Sequence, residues 1–180
     1  MIKSVLIDLG DTIIDNSDFS IDDLLKDLYY QCISLHISYD EFLHIVIEHK
    51  EKMLDQRGDK EYAFEQFLLD IQQKLKLSFT QSTSQIEMLL VKKHMPKNLI
   101  EGAKYFLEYC KLRNMSVFVV SNSSFSSKTL WLQIEYFSLT PYIEGVISSC
   151  DVGIRKPNML MFDSALKQSG FNPDYTLFIG

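Results

Sequence analysis

The chain has 180 residues, 46% of them apolar, and 18 basic against 24 acidic side chains give a formal net charge of -6. That length supports one good core plus a small subdomain, and the acidic balance without any Lys or Arg run argues against nucleic acid as a partner. Only Val5-Leu6-Ile7 precede Asp8 as an apolar run, too few for a signal peptide or membrane span, and Cys32, Cys110 and Cys150 suggest neither a disulfide framework nor a zinc site, which fits a reducing cytoplasm.

The first apolar run, Val5-Leu6-Ile7, ends at Asp8 and reads as a buried strand. Helical spacing follows in Ile21, Leu24, Leu25, Leu28 and Cys32, across a broad apolar face from Phe42 to Leu54, and in Phe64, Phe67, Leu68, Ile71 and Leu75. Ser38 with Glu41 and Ser84 with Glu87 match the capping box and predict helix starts near 39 and 85. Roughly residues 16–94 are therefore expected to form three or four helices with no strand among them. Pro96 suits the start of a helix carrying Leu99, Ala103, Phe106, Leu107 and Cys110, and Asn114 its left-handed exit.

Val117 to Val120 then form a second strand ending in Ser121-Asn122, and Val146-Ile147 a third ending in Ser148-Ser149. Pro157 suits the first turn of a helix that Gly170 closes, and Leu177-Phe178-Ile179 form a fourth strand ending at Gly180. Continuous apolar strands alternating with helices indicate a parallel α/β sheet, whose ligands sit at the carboxyl ends of the strands. A long helical insertion directly after the first strand reads as a cap over that site; the alternative is a helical subdomain that only packs.

A carboxylate at the mouth of a parallel strand can attack phosphorus or carbon, or ligate a metal. Phosphoryl transfer also requires donors for the phosphate oxygens and a cation to balance charge. Asp8, Ser121-Asn122 and Lys156 supply nucleophile, donors and cation, each just after a predicted strand.

Their order resembles the haloacid dehalogenase-like hydrolase superfamily over nearly the whole chain. Asp8-Leu9-Gly10-Asp11-Thr12 is similar to its D-x-D-x-T first motif with one departure, "VFVVSN" to its second, Lys156 in "DVGIRKPN" to its third, and "TLFIG" to the start of its fourth. The resemblance implies a Rossmann-like, three-layer α/β/α core over residues 1–15 and 95–180, with residues 16–94 as an inserted helical-bundle cap. It further implies a magnesium-dependent phosphatase of small phosphorylated metabolites working through an aspartyl-phosphate. Asp8 would be the nucleophile and a metal ligand, Ser121 and Asn122 would hold the phosphoryl group, and Lys156 would bind Asp8 and phosphate electrostatically. Magnesium would also take the backbone carbonyl of Gly10 and an Asp of motif four that lies beyond Gly180. The chain reads as cut through that motif, and weak magnesium binding and weak turnover are expected of it.

Most family phosphatases carry at position 10 an Asp that protonates the leaving alcohol, help typically worth about 10² to 10⁴ in rate. Gly10 therefore predicts a slow enzyme, although an Asp-x-Gly branch that includes sugar-phosphate phosphatases is similar. Asp11 is a poor substitute, because adjacent residues at a strand end point in opposite directions. Dehalogenases of the superfamily also lack the second Asp, but usually have a bulky aromatic where Leu9 stands; a non-catalytic binding or regulatory member is the other alternative. His36, His44, His49 and His94 are expected at the surface rather than as ligands, and Trp131, Tyr136 and Phe137 as packing residues.

Overall fold

The computed structural model describes residues 1–33 and 36–180. In chain order the elements are β1 (Ser4–Ile7), β2 (Ile14–Asp15), α1 (Ile21–Tyr30), β3 (Cys32–Ile33), α2 (Tyr39–Asp55), α3 (Phe64–Leu75), β4 (Ser78–Phe79) and α4 (Thr83–Lys93). They continue as β5 (Asn98–Leu99), α5 (Ala103–Leu112), β6 (Ser116–Ser121), α6 (Ser127–Tyr136), β7 (Gly145–Ser148), α7 (Ser149–Val152), α8 (Met159–Ser169) and β8 (Thr176–Ile179).

The main sheet has the order β7-β6-β1-β8 and is parallel throughout. All four residues of β1 are buried, because side chains alternate between two covered faces. Val5 and Ile7 join Val117, Val119, Leu107, Cys110, Leu130 and Ile134 in one cluster under α5 and α6. Leu6 joins Phe118, Val120 and Ile147 against Met161 and Ala165 of α8 on the other face. The result is a Rossmann-like α/β/α sandwich. The chain runs outward from β1 through β6 to β7, then returns to lay β8 on the opposite side of β1. The strand order thus reverses beside β1, and its carboxyl end is the crevice such sheets offer to ligands.

Helices α1 to α4 bury a separate core that includes Leu24, Leu28, Phe42, Val46, Leu68, Ile71, Ile86 and Leu90. Phe125, from the core loop after β6, packs against both this cluster and the one under α5 and α6. Two short strands correct the expectation that this block is purely helical: Cys32 pairs with Phe79 and Ile33 with Ser78. Two residues are too few to carry a period of their own, so the sequence hides them.

The second capping box also lies elsewhere. Ser82 and Gln85 cap α4 reciprocally, while Glu87 is buried and accepts from the amide and hydroxyl of Ser126 at 3.0 and 2.9 Å. No helix begins at Pro96 either. Asn98 and Leu99 pair antiparallel with Asp15 and Ile14, and α5 starts only after Gly102, whose positive φ of 83° turns the chain. Asn114 does take the left-handed exit at φ 53°, and Gly170 closes α8 at φ 73°. Pro157 lies before the cap residue Asn158 rather than in the first turn of α8.

His49 and His94 are less exposed than expected, since each lies against an aspartate, Asp70 at 3.4 Å and Asp27 at 2.8 Å. Trp131 and Phe137 pack against the core, whereas Tyr136 is exposed. No helix among the described residues is long and apolar enough to cross a membrane.

Candidate active site

β1 delivers Asp8 to the crevice, and β8 fixes its backbone through the Asp8 amide donating to the Ile179 carbonyl at 2.9 Å. One carboxylate oxygen accepts from the Leu9 amide at 2.8 Å, and the other meets Lys156 Nζ at 2.8 Å. Gly180 follows β8 at φ 147°, and a Cβ there would come within 2.6 Å of Asp8 Cβ. Glycine is required at this position because Asp8 leaves no room for a side chain.

Lys156 is held from three sides. Its ammonium donates to the Val120 carbonyl at 2.8 Å, its amide donates to Asn122 Oδ1 at 2.7 Å, and Asn122 Nδ2 donates back to its carbonyl at 3.1 Å. Asn122 therefore fastens the third segment to the end of β6. Its side-chain amide is spent on that bond pair, so it positions Lys156 as well as lining the cavity. Burial pulls Lys156 below the ordinary lysine range, opposed by the hydrogen bond and charge of Asp8.

Asp8, Gly10, Asp11, Asn16, Ser121, Asn122 and Ser123 line one cavity of about 340 Å³. Ser121 is buried at the end of β6 and lines this cavity together with Asp8. All five residues singled out in the sequence, Asp8, Gly10, Ser121, Asn122 and Lys156, therefore converge at the carboxyl end of β1 and β6.

Asn16 escaped the sequence reading. The Ile13 and Ile14 amides both donate to the Leu9 carbonyl at 2.9 Å, and Asp11 adopts φ 57°, folding the chain back on itself. A Cβ built on Gly10 would lie 2.5 Å from Asn16 Nδ2, so this amide occupies the space a side chain at position 10 would enter. Asp11 is exposed at the edge of this cavity, and its carboxylate accepts from the Asn16 amide at 3.2 Å. Nothing in the linear spacing of residues 10 and 16 signals this contact, which depends on the turn.

Glu61 was missed too. It lies between α2 and α3 with a side chain only 3% exposed, pairs with Arg155, and accepts from the Ser149 hydroxyl at 2.6 Å. Ser149 Oγ in turn accepts from the Ser123 amide at 2.9 Å. Alongside, the Glu61 amide donates to the Gly153 carbonyl at 3.0 Å and the Arg155 amide to the Asp59 carbonyl at 2.8 Å. The segment between α2 and α3 is thus laced to the loop that carries Lys156. Glu61→Ala leaves Arg155 without its partner in a largely buried place, and urea unfolding is expected to show a loss of about 3 kcal/mol. A Glu61→Leu, Arg155→Leu double variant removes both charges and should lose clearly less; equal losses would assign the effect to packing alone.

The three cysteines are free. Burial pushes the Cys32 and Cys150 thiols up to about 12, which keeps both protonated and poorly nucleophilic at neutral pH.

The parallel sheet thus gathers a carboxylate, a lysine and a serine at its switch point, the crevice where such sheets hold ligands. The haloacid dehalogenase-like hydrolase family model matches residues 5–180, and the chain belongs to that family. Its fold is shared with the magnesium-bound putative HAD-hydrolase YfnB from Bacillus subtilis, at 17% identity and a TM-score of 0.58 over 99% of this chain and 78% of that one. A HAD-superfamily hydrolase from Ehrlichia chaffeensis is similar at 22% identity and a TM-score of 0.52, covering 100% and 80%. L-2-haloacid dehalogenase from Xanthobacter autotrophicus is similar at 20% and 0.52, covering 99% and 69%. Comparison with curated proteins gives no match.

Proposed function

We propose that the protein is a magnesium-dependent phosphatase of a small phosphorylated metabolite, with Asp8 as the nucleophile. The observation that carries this reading is the Asp8–Lys156 pair at 2.8 Å with Ser121 lining the same cavity as Asp8. A lysine held against the nucleophile offers a positive charge to phosphate oxygens, and the serine hydroxyl offers a hydrogen bond to the same group. Asp8 attacks phosphorus, the ester oxygen leaves, and water then cleaves the aspartyl-phosphate.

The oxygen donors here suit magnesium. The Asp8 carboxylate and the Gly10 carbonyl are hard ligands, and no cluster of three or more His, Cys, Asp or Glu side chains occurs among the described residues. Mg²⁺ keeps several waters and is commonly held by one or two carboxylates together with substrate phosphates, so this sparse set fits it. When bound, the ion supplies charge neutralisation for phosphate. The free thiols support a reducing compartment, and we place the protein in the cytoplasm.

Phosphate release from p-nitrophenyl phosphate and from sugar and nucleoside monophosphates, with magnesium and with chelator, tests the reading. Lys156→Met is expected to lower kcat/KM by about 10² to 10³-fold, the usual loss when one charge-stabilising group is removed. Halide release from 2-haloacids without metal, and no phosphate release, would replace the phosphatase by a dehalogenase. Neither activity in a folded protein would favour a binding module.

A further inference from the structure

A second cavity of about 360 Å³ adjoins the first and shares Phe19, Asn122, Ser123 and Phe125 with it. Asp8 and Ser121 line only the first; α2 and the segment after it contribute Lys50, Met53 and Arg57 only to the second. The second cavity therefore continues from the phosphate end of the site into the cap.

Its walls have two characters. Phe64 stacks on Phe67 with ring centroids 5.7 Å apart, and Phe64 meets Phe125 edge-on at 5.2 Å, which makes an aromatic side. Such a surface favours a flat apolar body. Among the charged wall residues, Arg155 and Glu61 neutralise one another. Lys50 and Arg57 are half-buried and have no carboxylate within 4.0 Å among the described residues. Two cations facing the same largely apolar cavity, in a chain of net charge -6, leave a local charge that a ligand anion would balance.

We infer that the leaving group of the substrate is an apolar, ring-like body bearing a second anionic group, a carboxylate or a phosphate, which Lys50 and Arg57 bind from the cap. This inference rests on the reading of the Asp8 cavity as a phosphate site. Arg57 offers a planar fork that pairs with either anion, and Lys50 adds a point charge. The apolar wall binds the body between the two ends, so neither neutral aryl phosphates nor small polar phosphates fill the whole site.

The test compares phenyl phosphate with 4-carboxyphenyl phosphate and 1,4-phenylene bisphosphate, and in parallel measures calorimetric binding of benzylphosphonate and 4-carboxybenzylphosphonate. The anionic ligands are expected to be preferred about tenfold or more in kcat/KM and in Kd, as charge-assisted hydrogen bonds allow. That preference should collapse in Lys50→Ala, Arg57→Ala and survive in Lys52→Ala, an exposed lysine of the same helix outside the cavity wall. Preference for the carboxylate or for the bisphosphate identifies which anion the cap takes. Equal treatment of neutral and anionic ligands, or a preference that persists in the double variant, overturns the inference. If no phosphate ester turns over yet the carboxylated phosphonate binds tighter in a Lys50- and Arg57-dependent way, the phosphatase reading fails and the cap site stands.

Discussion

Asp8→Asn is expected to abolish phosphate release, with kcat falling by on the order of 10⁴-fold or more, the range seen when a nucleophile is removed. The substitution keeps the shape of the side chain and an oxygen for the Leu9 amide, which donates to Asp8 at 2.8 Å in the parent chain. It removes the negative charge that faces Lys156 at 2.8 Å, and an amide cannot form the aspartyl-phosphate. Because the fold surrounds this residue with β8 and β6, circular dichroism and thermal unfolding of the variant must accompany the assay. A folded variant that keeps a tenth of the parent rate would remove Asp8 from the chemistry.

The second large effect is a gain. Gly10→Asp combined with Asn16→Ala is expected to raise kcat on alkyl phosphates by about 10² to 10⁴-fold, because a carboxyl at position 10 would protonate a poor leaving alcohol. Gly10→Asp alone should gain less. Its Cβ would sit 2.5 Å from Asn16 Nδ2, so the amide must first swing away. The leaving group decides the mechanism. p-Nitrophenolate departs without a proton, so p-nitrophenyl phosphate should respond far less than an alkyl ester. Equal gains on both substrates would mean that the new carboxyl acts by another route.

The strands were legible because their chemistry is local. Val5 to Ile7 and Val117 to Val120 are apolar at every position and buried, as strands covered on both faces must be, whereas the equally apolar Leu177 to Ile179 lies at the edge of the described sheet with Leu177 exposed. Asp8 and Ser121-Asn122 stand at the ends of the first two runs, whereas Lys156 lies beyond both β7 and α7 and meets Asp8 only through the fold. The short pairs β2–β5 and β3–β4 were not legible, since each strand has two residues and is held by a partner more than forty positions away. The misplaced cap of α4 has a similar origin: two overlapping serine signals competed, and burial of Glu87 against Ser126 removed one of them.

By itself the sequence determined the parallel α/β core, the long helical insertion, the family and the residues at the strand ends. The core and the insertion follow from side-chain period and from the short-range rule that polar groups terminate buried strands, and the family from the resemblance of its ordered motifs. Only the tertiary structure decided that Asn16 fills the space beside Gly10, that Glu61 laces the segment between α2 and α3 to the loop of Lys156, and that Lys50 and Arg57 face an aromatic wall. Each of those contacts joins residues whose separation along the chain carries no period, so their meeting is set by the turn after β1 and by the packing of α1 to α4 and their connections.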